Sequence, residues 1–146
     1  MLSVSARERL SRVGATLFER GWLSSNNILI TGSSGPSALV DSGYCTHAAQ
    51  TLDLVERSLG GRPLELLLNT HLHSDHCGGN AALQNFHPGL RTLMPSGLAE
   101  AVRHWDTEAL SYATTGQECP RFVFDGLLRP GERLKLGDWN WEVHGA

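Results

Sequence analysis

No stretch of the 146 residues approaches the roughly 20 consecutive apolar residues that a membrane span requires, so no membrane partner is expected. A cluster of Lys and Arg is missing too. The formal net charge is -3, and this mildly acidic balance argues against a dedicated nucleic-acid binder. Arg7, Glu8, Arg9 and Arg12 interrupt the N-terminal segment, which leaves no apolar h-region of a signal peptide. Cysteine is scarce. Cys45, Cys77 and Cys119 are odd in number and far apart, which predicts free thiols in a reducing, cytoplasmic setting. No GxSxG element marks a serine nucleophile. The Gly32-Ser33-Ser34-Gly35-Pro36 cluster lacks the lysine and following helix of a phosphate-binding loop, so it is read as a turn. With 40% hydrophobic and 18% charged residues, the composition is that of about one soluble globular domain.

Against these absences stands one dense stretch, Asn69-Thr70-His71-Leu72-His73-Ser74-Asp75-His76-Cys77-Gly78-Gly79-Asn80. Three histidines and an aspartate fall within six positions, and imidazole and carboxylate are the donors that zinc and similar metals prefer. Residues two apart on an extended backbone point the same way, so His71 and His73 are placed to grip one ion together. Asp75 and His76 lie one turn further on and face the same space. Cys77 is read as a packed thiol, because His76 beside it already supplies a ligand.

The flanking pattern is that of alternating strands and helices. A helix is expected from about Ser5 to Arg20, ended by Gly21, and residues 1–21 are read as a helical segment before a domain over 22–146. Ile28-Leu29-Ile30 and Ala38-Leu39-Val40 predict a hairpin, and the second strand ends at Asp41. Thr46 is expected to cap a helix bearing Leu52, Val55 and Leu59, closed by Gly60-Gly61. Leu64 to Leu68 reads as a buried strand that delivers the chain to the histidines. Beyond them, Gly78-Gly79 would let the backbone pass close to a metal or substrate. Asn80 should cap a helix to Phe86, and His87 should be exposed in a turn. A strand over Leu90–Met94 and a Ser96-capped helix follow. A second helical stretch over 104–116 is expected to use Trp105, Leu110 and Tyr112 as packing residues. Phe122-Val123-Phe124 reads as a strand, and Arg133–Leu136 with Trp139–Val143 as a hairpin turning at Gly137-Asp138.

The string His71-Leu72-His73-Ser74-Asp75-His76 resembles the HxHxDH signature of the metallo-beta-lactamase fold superfamily, and Val40-Asp41-Ser42-Gly43 resembles its strand-end aspartate motif. The resemblance runs from about Trp22 onward. It implies an α/β fold, the first half of an αβ/βα sandwich with two sheets between helices. It implies His71, His73, Asp75 and His76 as metal ligands, a catalytic role for Asp75, and Asp41 as a residue that accepts hydrogen bonds and fixes the ligands. Zinc is the implied cofactor, as one or two ions, with iron or manganese as substitutes. The implied activity is hydrolysis of a small-molecule ester, thioester, lactone or lactam, in the manner of glyoxalase II-like, lactonase-like or β-lactamase-like relatives. A sulfur dioxygenase using iron, and a binding or assembly domain without catalysis, are the alternatives. Substrate-binding residues are not legible.

The resemblance also implies ligands that this sequence lacks: a Pro-Gly-His segment, a bridging aspartate and a further histidine. His144 precedes the place for that segment and is not read as its substitute. The expectation is therefore a shortened chain that binds at most one metal weakly and turns over poorly, with self-association through an uncovered sheet face.

Overall fold

Leucine runs and glycine breaks set the element boundaries of the chain, for which a computed structural model describes residues 1–145; Ala146, the last residue of the second expected segment, lies outside them. Helix α1 covers Val4–Arg12 and strand β1 covers Ala15–Phe18. The hairpin of β2 (Asn27–Ile30) and β3 (Ala38–Val40) follows, then α2 (Ala48–Leu59), β4 (Leu66–Leu68), the short α3 (Ser74–Cys77) and α4 (Asn80–Phe86). The remaining elements are β5 (Arg91–Pro95), α5 (Ala99–His104), α6 (Tyr112–Thr115), β6 (Gly126–Leu128), β7 (Arg133–Leu136) and β8 (Trp139–Glu142).

The first six strands form one sheet in the order β1-β2-β3-β4-β5-β6, and β7 pairs with β8 in a second sheet. β1, β2 and β3 pair antiparallel, whereas β3 to β6 run parallel, each parallel step made by a helical crossover. Side chains alternate across this sheet. Leu29, Leu39 and Leu67 face α2 and α4, where they meet Val55, Leu59 and Leu83. Ile30, Ala38, Leu66 and Leu68 face the opposite way, toward Leu136 with the partly buried Leu134 and Trp141 of the second sheet. Because both faces are covered, β4 is apolar at every position. A third cluster, with Leu72, Cys77, Met94, Val102, Tyr112 and Phe122, closes the end of the sheet where the parallel strands terminate.

Several local expectations are corrected. The first helix stops at Arg12, since Gly14 takes a positive φ of 73° and lets the chain reverse into β1. The sheet's edge strand thus comes from before Trp22. Val13 and Leu17 were ambiguous because a short apolar pattern fits either period. Thr46 lies in a 3-10 turn over Cys45–His47 and caps nothing; α2 begins after His47 without a side-chain cap. Asn80 is buried and forms no cap, for Gly79 holds that place. His87 is mostly buried, with Nε2 2.7 Å from Glu56 Oε1. Phe122-Val123-Phe124 forms no strand, because Phe122 turns into the third cluster, and pairing begins at Gly126. Residues 104–116 do not form one helix: Trp105 takes a left-handed conformation that ends α5, and only Tyr112–Thr115 is helical again.

Candidate metal centre

Asp41 and Asn69 follow directly on β3 and β4, so two chain segments leave the sheet side by side at its carboxyl end. Asp41 N–H continues the ladder by donating to the Leu68 carbonyl at 2.8 Å, and Asn69 N–H donates to Leu93 at 3.1 Å. Asp41 then adopts φ 60°, a left-handed conformation that aspartate tolerates better than most residues. The bend aims its buried carboxylate at the loop that follows β4.

Three donors end on that carboxylate. Thr70 N–H donates to Oδ1 at 2.9 Å, Thr70 Oγ1–H to Oδ2 at 2.7 Å, and His76 Nδ1–H to Oδ2 at 2.7 Å. A carboxylate only accepts, so the His76 proton sits on Nδ1 and its Nε2 carries the lone pair. The Thr70 hydroxyl spends its hydrogen on Asp41 and thus accepts from His71 Nδ1, 3.1 Å away. The same carboxylate therefore sets the tautomer of two histidines, one directly and one through Thr70. Sequence reasoning missed Thr70, since nothing in the spacing marks a hydroxyl as the link.

Leu72 drops into the third core cluster, while His71 and His73 on either side of it are exposed and share one side. The rings of His71 and His73 are 4.6 Å apart edge to face, and those of His71 and His76 are 3.9 Å apart. Asp75 Oδ2 lies 3.5 Å from His76 Nε2. Burial, then the neighbouring His76 and His73, lowers the pKa of His71 and favours its neutral form. The hydrogen bond to Asp41 instead raises that of His76, against the effect of burial. Sequence placed these residues near one another; the fold brings the three rings into contact and sets Asp75 beside them. Among the described residues, however, no three His, Cys, Asp or Glu side chains stand ready around one ion-sized point. The donor set nonetheless fits a borderline metal in kind: three imidazoles, two of them (His71 and His76) held with the Nε2 lone pair free, and a carboxylate that orients them.

The loop is held from beneath. The His76 carbonyl accepts from Ser42 N–H at 2.7 Å, and Ser42 Oγ–H donates to Asn80 Oδ1 at 2.7 Å. Asn80 Nδ2 donates to Asn69 Oδ1 at 2.7 Å. Gly78 and Gly79 are required by this packing: a Cβ on Gly79 would sit 2.4 Å from the Ser42 carbonyl oxygen, and one on Gly78 2.6 Å from Cys45 N. Ser25 N–H donates to the Asp75 carbonyl at 2.9 Å. Beside the histidines lies a hollow of about 310 Å³, lined by Leu23, His73, Asp75, Tyr112, Thr115 and Gln117 among others. His144 is exposed and paired with Glu142, on the second sheet. Cys77 is fully buried against Tyr112 and is not turned to the loop's open side.

Known proteins share this fold. A HARLDQ-motif metallo-beta-lactamase from Cronobacter sakazakii superposes with a TM-score of 0.68 at 25% identity, over 85% of this chain and 46% of that one. FEZ-1, a metallo-beta-lactamase from Legionella gormanii, gives 0.71 at 18% identity, over 90% and 50%. BJP-1, a subclass B3 metallo-beta-lactamase of Bradyrhizobium japonicum, gives 0.66 at 21%, over 92% and 54%. The last two likenesses speak for the fold alone. The chain spans about half the length of these solved structures. No curated protein matches it. The family model described as the metallo-beta-lactamase superfamily matches residues 20–145. The α/β fold corresponds to about half of the superfamily's αβ/βα sandwich, and the chain belongs to the metallo-beta-lactamase superfamily.

Proposed function

We propose that this chain carries the first part of the metal centre of a hydrolase acting on a small-molecule ester, thioester, lactone or lactam. The superfamily consists mostly of metallo-hydrolases. The observation that carries the reading is the contact of three imidazoles at the end of β4, two of them with Nδ1 protons fixed by Asp41 and Thr70. In this reading His71 and His73 hold one zinc ion, and Asp75 and His76 contribute to a second. Iron or manganese are the substitutes. Bound there, such an ion lowers the pKa of its water to near 7 and supplies hydroxide at neutral pH. The chain's own residues orient the ligands: Asp41 and Thr70 present the Nε2 lone pairs, and the Ser42–Asn80–Asn69 network fixes the backbone of α3. Asp75, next to His76 Nε2 and lining the hollow, is the carboxylate to which this reading gives a catalytic role.

A catalytic zinc normally has three protein ligands. The narrower expectation for this chain is weak, at most single-metal binding and poor turnover. The second reading is a binding or assembly role. Zinc calorimetry with metal analysis, set beside hydrolysis of a generic lactone and ester, separates them. Weak binding of one zinc that is abolished by His71→Ala supports the metal-centre reading. Unchanged zinc uptake in His71→Ala refutes it.

No helix among the described residues is long and apolar enough to cross a membrane. The three free thiols fit a reducing compartment such as the cytoplasm. The second sheet covers the face that was expected to lie bare, leaving between the two sheets an apolar trough of about 480 Å³ with Ile28, Ile30, Leu134 and Trp141 in its walls; self-association, if it occurs, uses the open side of that trough.

A further inference from the structure

The three cysteines are far apart in sequence, yet the fold gathers them behind the histidine loop. Cys77 is the last residue of α3 and has no exposed surface; its Sγ lies 3.4 Å from the His73 carbonyl and 3.2 Å from the Tyr112 hydroxyl. Cys119 Sγ is 3.9 Å from Cys77 Sγ. It is half-buried and lines an open cleft of about 560 Å³ with Thr107, Tyr112, Gln117 and Pro120. Cys45 approaches from the other side, donating from Sγ to the Glu118 carbonyl at 3.4 Å.

We infer that Cys77 and Cys119 form an oxidation-sensitive thiol pair, which a peroxide converts to a disulfide behind the helix that carries Asp75 and His76. The sulfurs must approach by about 1.9 Å, from 3.9 Å to the ~2.05 Å of a disulfide. Cys77 is anchored by α3 and Tyr112, whereas Cys119 lies on an irregular segment between α6 and β6, so Cys119 makes the move. The open cleft gives a small oxidant access to Cys119 alone. The hydrogen bond with Cys77 also lowers the pKa of Cys119, against burial, which makes it the better nucleophile of the two.

The steps balance. The Cys119 thiolate attacks one peroxide oxygen; an S–O bond forms, the O–O bond breaks and hydroxide (or the alkoxide of an organic peroxide) leaves. Cys119 is oxidised to the sulfenic acid by two electrons, and the peroxide is reduced. Cys77 sulfur then attacks Cys119 sulfur; the S–S bond forms, the S–O bond breaks, and the departing hydroxide takes the Cys77 proton as water. Because Cys77 ends α3, the bond ties the backbone of the histidine loop to the 116–122 segment. The rest of this inference does not depend on any bound metal.

The test uses the full chain, reduced and metal-free. It is treated with hydrogen peroxide, quenched with catalase, unfolded and alkylated with iodoacetamide, then mapped by mass spectrometry. Expected is a fall from three alkylatable thiols to one in the wild type and from two to none in Cys45→Ser. A Cys77–Cys119 peptide cross-link should accompany this and disappear with dithiothreitol. Cys119→Ser should retain both thiols and show no cross-link. The inference is overturned if Cys77 in the oxidised wild type remains alkylatable, if Cys119 pairs with Cys45 or accumulates sulfinic acid instead, or if the disulfide joins two molecules.

Discussion

Replacing Asp41 by Asn tests how one carboxylate governs the histidine loop. The substitution keeps the side-chain shape, and Asn tolerates the left-handed φ of 60°, so backbone strain does not confound the result. Thr70 N–H can only donate, so the amide oxygen faces it and the amide NH2 takes the place of Oδ2. It now donates toward Thr70 Oγ1 and His76 Nδ1, both of which previously donated. His76 answers by moving its proton to Nε2, the nitrogen that had been free. The Thr70 hydroxyl, no longer committed to Asp41, turns toward His71 Nδ1 and drives the same change there. Three charge-assisted bonds become neutral ones, a loss of about 1 kcal/mol each, or about 3 kcal/mol of stability in total. For a domain of this size that lowers Tm by roughly 6–12 °C. Zinc affinity should fall by about 10- to 100-fold, the usual effect of removing a residue that orients ligands. Long-range 1H–15N spectra of the metal-free protein report the tautomers, and zinc calorimetry reports the affinity. A variant whose His76 keeps its Nδ1 proton and whose zinc affinity equals that of the wild type refutes the reasoning.

Three further outcomes are expected. Gly79→Ala sets a Cβ 2.4 Å from the Ser42 carbonyl oxygen, a backbone atom that cannot step aside, and should cost about 1–3 kcal/mol in thermal or urea unfolding; an unchanged midpoint contradicts the close packing. Because Asp41 raises the pKa of His76, their pairing contributes stability that is fully present below the ring's ordinary value of 6.5 and is lost as pH rises through the raised value. Melts of metal-free protein between about pH 5 and 9 should show this decline in the wild type and not in Asp41→Asn, while zinc binding strengthens over the same window as the competing proton leaves. Sedimentation should show dimers or larger species that Trp141→Glu, with a charge set in the apolar trough, shifts toward monomer; a wild type that stays monomeric at high concentration rejects self-association through that face.

Much of this molecule was legible without coordinates. The Leu64–Leu68 run between Pro63 and Asn69 announced a strand covered on both faces, and the period-two pattern of residues 133–143 announced the terminal hairpin. The spacing of His71, His73, Asp75 and His76 named the donor types, because ligand chemistry resides in the side chains themselves. The pattern of Leu10, Val13 and Leu17 misled, since a few apolar residues satisfy both the helical and the strand period, and Gly14 decided between them only by turning the chain. Contacts over long sequence separation stayed out of reach altogether. That Thr70 links Asp41 to His71, that Asn80 braces Ser42 instead of capping a helix, and that Cys77 meets Cys119 across 42 positions all depend on the helices crossing between β3, β4, β5 and β6. Sequence determined which groups are available and which apolar runs become the buried strands. Only the packing of those strands decided which groups meet, because a hydrogen bond or a thiol pair is fixed by distances of a few ångströms that no local propensity encodes.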